Sequence, residues 1–275
     1  METNEPILKN YNLPENIFFC KKCVLSNQSP NSTQEFLHNK ESKKETIAFK
    51  DGICDACRAC EKKEKEIDWE QREKELRILC DKYKRNDGSY DCIIPGSGGK
   101  DSVFASHILK NKYGMHPLTV TWAPHLYTEP GWKNFQNWIK SGFDNLLFHP
   151  NGKVHRLLTR LAFLNLLHPF QPFILGQKNI GAKFAAIYNI PLVFYGENEA
   201  EYGNPIQDNY TPLRNAKFHT GKNYEEMYLG GVKVKDLIKK YDLTLNNLSP
   251  YLPINPEEYK SKGIQVHYLG YYIQW

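Results

Sequence analysis

The chain has 275 residues, a formal net charge of +5, 40% hydrophobic and 13% aromatic residues, which suits one main domain plus a small appendage. The positive excess is mild and scattered, so it suits acidic small-molecule substrates, and no nucleic-acid partner is expected. The most apolar window, residues 157–175, is interrupted by Arg160, His168, Pro169 and Pro172; it reads as buried helix, no membrane contact is expected, and without a leader-like segment the protein is expected in the cytoplasm.

Residues 1–60 carry Cys20-Lys-Lys-Cys23 and Cys54-Asp-Ala-Cys57. Cysteines in a reducing compartment do not form lasting disulfides. Two C-x2-C pairs in one core-poor segment instead offer four thiolates in the tetrahedral arrangement that zinc prefers, and metal then replaces a hydrophobic core. Cys20, Cys23, Cys54 and Cys57 are the expected structural zinc ligands, and Cys60 in "CDACRAC" competes with them. The polar stretch between the pairs reads as a loop carried on the zinc ribbon. Residues 61–88 follow as a charged linker helix with its apolar period at Ile67, Leu76, Leu79 and Tyr83, stopped by Asn86-Asp87-Gly88.

From residue 89 to 205 strand and helix patterns alternate. "YDCIIP", "HPLTVTWA", "NLLFHP" and "IPLVFYGEN" read as strands, and residues 102–113, 132–141, 155–167 and 179–188 as helices. That alternation predicts an α/β fold with a doubly wound, Rossmann-like parallel sheet, which binds ligands at the carboxyl ends of its strands. Residues 206–275 read as a C-terminal extension: a long excursion, a short helix at 234–241 and a strand-like aromatic run, "IQVHYLGYYIQW". The abrupt stop at Trp275 reads as a truncated end.

The chemistry is concentrated in "IIPGSGGKDSVFA". A Walker A loop would need glycine where Ile94 stands and a hydroxyl where Asp101 stands, and a dinucleotide-binding loop would need its third glycine at Asp101. What the stretch offers is different. Gly98 and Gly99 let backbone amides form an anion nest, and the helix that follows aims its N-terminus at the same anion. Ser97 and Ser102 add hydroxyls, Lys100 adds charge, and Asp101 can cap the helix or help hold Mg2+. Ser97-Gly98-Gly99-Lys100-Asp101-Ser102 resembles the Ser-Gly-Gly-x-Asp-Ser signature of PP-loop ATP pyrophosphatases. The resemblance implies that ATP is bound by its β,γ-pyrophosphate. A substrate oxygen is then adenylated, pyrophosphate leaves, and a nucleophile displaces AMP. Adenine is expected against the backbone at Thr121 and Trp122. Gly176-Gln177-Lys178, read as opening a helix, is expected to neutralise the α-phosphate.

The knuckles, the charged helix, the "GSGGKDS" turn and "FILGQKNIGAKFAAIYNIPLVFYGENEAEYG" together resemble the N-acetyl sugar amidotransferase family, over about residues 20–203. The resemblance implies conversion of an acetamido group on a nonulosonate or nucleotide-activated sugar into an acetamidino group, for lipopolysaccharide O-antigen or flagellin glycans, as with pseudaminic acid. It also implies ammonia delivered by a separate glutaminase and conduit subunit. Lys100, Asp101 and Glu197 are the expected catalytic residues, and Glu197, Asn198, Glu201, Tyr202 and Gly203 the expected sugar site. A transfer-RNA thiolation enzyme with the same turn and zinc knuckles is the alternative. The oxygen-sensitive branch of that class places cysteines after the loop, whereas here the last cysteine is Cys92.

Overall fold

The structure, a computed structural model, describes residues 14–31, 34–41, 46–197 and 211–274. The N-terminal part is a small hairpin of β1 (Phe49–Lys50) and β2 (Ile53–Cys54), turned through Asp51 and Gly52. Helix α1 (Asp55–Lys65) leaves it directly, and α2 (Trp69–Tyr83) follows. The charged stretch expected as one helix is therefore two. The break has a local cause: the Asp68 side chain accepts from the Gln71 backbone N–H and starts a new helix.

The body follows as β3 (Cys92–Pro95), α3 (Lys100–Asn111), β4 (Pro117–Trp122), α4 (Glu129–Lys140), β5 (Asp144–Phe148), α5 (Gly152–Leu166), α6 (Gln171–Tyr188) and β6 (Leu192–Tyr195). A two-stranded hairpin, β7 (Tyr228–Leu229) and β8 (Val232–Lys233), leads into α7 (Val234–Tyr241) and α8 (Leu245–Leu248). The chain then runs through α9 (Pro256–Ser261), β9 (Gln265–Tyr268) and α10 (Leu269–Tyr272). The central sheet is parallel throughout, in the order β5-β4-β3-β6-β9. Central strands covered on both faces should be apolar without alternation, and β3 and β4 are buried along their whole length.

One face carries α5, α6 and α7–α9, with a core that includes Ile93, Val120, Leu158, Leu175, Val193 and Leu237. The other carries α2, α3 and α10, packed through Leu76, Ile94, Leu109, Phe194 and Leu269. Helices on both faces make the doubly wound α/β architecture. Among the described residues no helix is long and apolar enough to cross a membrane.

Four further segments differ from their sequence patterns. Helix α6 begins eight residues before the expected start, because Pro172 sits in its first turn, where no backbone N–H is needed. The apolar window 157–175 is two helices joined at Leu167, which takes a left-handed conformation. The final aromatic run is β9 plus a helical turn, and β9 pairs with β6, so the segment set apart as an extension completes the sheet. Within the polar stretch between the cysteine pairs, Phe36 is buried in the main core, and Gln171 Nε2 donates to the Glu35 carbonyl at 2.9 Å.

Candidate functional site

The turn after β3 is built by close contacts that only glycine allows. A Cβ on Gly96 would fall 2.2 Å from the Ser102 Cβ, and one on Gly98 would fall 2.7 Å from the Phe135 Cα. Gly98 also has φ +83, a left-handed conformation. Gly99 differs: the nearest atom to an added Cβ is the Ser97 Oγ at 4.0 Å. Packing does not require glycine there, so the free space above it is available to a ligand.

Gly99 is the residue before α3, so Lys100, Asp101 and Ser102 form the first helical turn. Helical bonding begins with the Val103 N–H donating to the Gly99 carbonyl at 3.1 Å. The earlier N–H groups carry the positive end of the helix dipole. Ser102 Oγ donates to the Gly99 carbonyl at 3.1 Å, and Lys100 Nζ lies 2.6 Å from Asp101 Oδ1. From behind, Trp138 Nε1 donates to Ser106 Oγ at 3.1 Å, and that hydroxyl donates to the Ser102 carbonyl at 2.6 Å. Helix α4 thus holds the turn from two sides, through Phe135 and Trp138.

In front of the turn is a cavity of about 330 Å³. Its walls are Ser97, Gly99, Asp101 and Ser102 from the turn, and Val120 and Trp122 from β4. Helix α6 adds Gln177 and Lys178, the end of β6 adds Tyr195, Gly196 and Glu197, and the C-terminal region adds Arg214 and Tyr268. Glu197 reaches this wall because Gly196 presses on the start of α3: a Cβ on Gly196 would lie 2.9 Å from the Asp101 carbonyl oxygen. Two carboxylates, Asp101 and Glu197, face one space with lysine and arginine also on its walls. Hard oxygen donors of this kind fit a magnesium ion shared with phosphate oxygens. A second, more apolar cavity of about 450 Å³ adjoins the first through Trp122 and Ile180, which line both.

Of the residues singled out from sequence, Ser97, Gly99, Asp101, Ser102, Trp122, Gln177, Lys178 and Glu197 come together around this cavity. Gly98 and Lys100 belong to the turn without lining the cavity. Thr121 points to the other face of the sheet, where Asn145 Nδ2 donates to its Oγ1 at 3.0 Å. Gly176 does not open a helix. It lies inside α6 with its N–H in the helical ladder, and a Cβ there would sit 2.2 Å from the Trp122 indole. Its role is to let α6 lie on Trp122, itself only 4% exposed. Asn198, Glu201, Tyr202 and Gly203 lie outside the described residues. Arg214, Tyr195 and Tyr268 were not singled out from sequence; Arg214 carried no signal, being a lone arginine in what read as a loop.

The second chemical feature is the cysteine cluster. The sulfurs of Cys20, Cys23, Cys54 and Cys57 all lie within 4.8 Å of one another, and Cys60 is not among them. Cys20 Sγ to Cys57 Sγ is 3.9 Å and Cys23 Sγ to Cys54 Sγ is 3.6 Å, bracketing the ~3.8 Å edge of a tetrahedron with 2.3 Å zinc–sulfur bonds. The Lys22 and Cys54 backbone N–H groups both donate to Cys20 Sγ at 3.4 Å. Burial pushes the Cys20 thiol up, but these backbone donors outweigh it and bring it down to about 6. Burial, then the neighbouring thiols, push Cys57 well up. Four sulfurs this close compete for protons, a conflict that a bound dication removes.

No family model matches the chain. An uncharacterized protein, MJ1599, from Methanocaldococcus jannaschii is 42% identical over 52 residues, and the match spans 19% of this chain and 19% of that protein. An NH3-dependent NAD synthetase from Campylobacter jejuni has a TM-score of 0.36 and 14% identity, over 66% of this chain and 77% of its own. An NMN synthetase from Francisella tularensis has a TM-score of 0.36 and 14% identity, over 72% of this chain and 85% of its own. Similarity this low carries no functional argument.

Proposed function

We propose that the chain is a PP-loop enzyme: an ATP-dependent, AMP- and pyrophosphate-forming amidotransferase acting on an N-acetylated sugar. The observation that carries the ATP part is the Ser97–Ser102 turn. It follows a central parallel strand, opens a helix, and leaves unfilled space over Gly99 beside Ser97, Asp101 and Ser102. An anion nest backed by a helix N-terminus suits the β,γ-pyrophosphate of ATP. Asp101 and Glu197 would hold magnesium against it, and Lys178 would neutralise charge on the α-phosphate as it is attacked. The sugar part rests on the resemblance of the "YGENEAEYG" region and the cysteine pairs to the sugar amidotransferases.

In the proposed reaction the oxygen of the N-acetyl amide attacks the α-phosphorus and the bond to pyrophosphate breaks. Ammonia then adds to the carbon of the O-adenylyl imidate and loses a proton. The C–O bond breaks with departure of AMP, leaving an acetamidino group. Adenylation makes the amide oxygen a leaving group, and the ammonia would come from a separate glutaminase. The cysteine cluster would hold one zinc ion with a structural role, since four thiolates leave no open position for substrate. The test is an acceptor with heavy oxygen in its acetyl carbonyl. Transfer of that label into the phosphate of AMP is expected; label retained in the acceptor while ATP is consumed would exclude the route.

A further inference from the structure

The cavity has a buried arginine on its wall that neither the turn nor the reaction just described uses. Arg214 is only 3% exposed yet lines the cavity. Its backbone is fixed along the outer side of β9: Arg214 N–H donates to the Val266 carbonyl at 2.8 Å, and Leu213 bridges His267. Its guanidinium carbon lies 5.1 Å from the Tyr195 ring centroid and 6.0 Å from that of Phe218. Nη1 donates to the Lys178 carbonyl at 3.4 Å, and Lys178 Nζ lies 5.5 Å from the same Phe218 ring. Two cations from different parts of the chain, Lys178 and Arg214, thus converge beside one aromatic ring and on one cavity.

Burying a guanidinium is costly, and one held by backbone pairing and aromatic faces has lost most of its rotational freedom before any ligand arrives. Fixed, planar donors of this kind bind carboxylate or phosphate oxygens in a two-pronged way. Arg214 also approaches the cavity from a different side than the glycine turn. The turn follows β3, whereas the Arg214 guanidinium stands against Tyr195 at the end of β6 and the Lys178 carbonyl of α6.

We propose that Arg214, supported by Lys178, is a specificity-determining residue that binds an anionic group, carboxylate or phosphate, on the acceptor. The assignment rests on the reading that the glycine turn takes the ATP phosphates. It places the acceptor on the β6–β9 side of the cavity, with its anion against Arg214.

The experiment compares the wild-type full chain with Arg214→Gln and Arg214→Lys by calorimetric titration. The probes are α,β-methylene-ATP with magnesium, and then four acceptor probes: N-acetylneuraminate, its methyl ester, N-acetylglucosamine 1-phosphate and N-acetylglucosamine. Wild type should bind one of the anionic probes about tenfold or more tightly than its neutral counterpart, the usual value of a charge-assisted contact. Preference within the first pair identifies a carboxylate, and within the second a phosphate. Arg214→Gln should erase that preference and Arg214→Lys keep part of it, while affinity for the ATP analogue stays within about twofold in both. Equal binding of charged and neutral probes by wild type would overturn the proposal. So would an Arg214→Gln variant that weakens the ATP analogue as much as the acceptor, which would assign Arg214 to the nucleotide. If Arg214→Gln does not fold, Arg214→Met and Arg214→Lys carry the same comparison. Failure of wild type to bind the ATP analogue is a separate result that counts against the ATP reading, whatever the acceptor preference.

Discussion

Gly196 and Asp101 touch through their backbones: a Cβ on Gly196 would lie 2.9 Å from the Asp101 carbonyl oxygen and 3.0 Å from its carbonyl carbon. The end of β6 therefore rests directly on the first turn of α3, and Glu197, the next residue, lines the cavity that the glycine turn faces. Backbone cannot move aside as the tip of a flexible side chain can. Gly196→Ala should cost roughly 1–3 kcal/mol of stability, the usual range for overpacking, and should lower AMP formation by more than the loss of folded protein explains. Urea midpoints measured beside steady-state rates will separate the two effects.

Gly99 and Gly176 should respond in opposite ways. Gly99 has no atom nearer than 4.0 Å to an added Cβ, whereas Gly176 has the Trp122 indole at 2.2 Å. Gly99→Ala should leave the melting temperature near that of wild type and weaken ATP binding, because the methyl group would occupy the space that the proposed function gives to the ATP phosphates. Gly176→Ala should destabilise the fold by roughly 1–3 kcal/mol through displacement of Trp122. Differential scanning calorimetry with and without ATP and magnesium would show whether the ligand-induced stabilisation disappears only in Gly99→Ala.

The cysteine cluster yields a third expectation. Elemental analysis should find about one zinc per chain, lost on replacing Cys54 by serine and retained on replacing Cys60, which lies outside the cluster. Chelation should lower stability, because the binding free energy of a structural metal is largely folding free energy. Iron in place of zinc, or full zinc in a Cys20→Ser, Cys54→Ser double variant, would contradict the assignment.

Two buried histidines make the fold acid-sensitive. Burial pulls His267 down to about 4, and burial with a smaller contribution from His125 pulls His155 down to about 4. Both values lie below the ~6.5 of an unfolded histidine, so the unfolded chain takes up the protons first as pH falls. Stability should be unaffected by these groups above that value and decline from it toward about 4, at up to about 1.4 kcal/mol per pH unit for each. His267→Gln should flatten the slope relative to wild type, as read from urea midpoints across that interval. An unchanged slope would show that His267 is protonated in the native state.

The strand–helix alternation and the glycine turn were legible in sequence because both are local. Apolar runs such as "CIIP" announce buried parallel strands, and the SGGKDS stretch carries its own nest-forming glycines. What escaped was set by distant partners. Gly176 reads as a helix opening until Trp122, fifty-four positions earlier, is seen to need its missing Cβ. Arg214 reads as a loop arginine until β9 pairs with β6 and carries it to the cavity. Phe36, in a polar stretch, is buried by helices that fold over one hundred residues later. Each of these is a tertiary contact that no local period announces.

The measurement that bears most directly on the central claim is the product pair formed from ATP. The full chain is incubated with ATP, magnesium, ammonium and a panel of N-acetylated nonulosonates and UDP-N-acetyl sugars. Nucleotides are separated by chromatography and acceptors are read by mass spectrometry. AMP and pyrophosphate are expected in step with exchange of one acceptor oxygen for NH, both abolished in Asp101→Ala and reduced in Glu197→Gln. ADP with phosphate, or sulfur appearing in transfer RNA while every sugar stays unchanged, would contradict it.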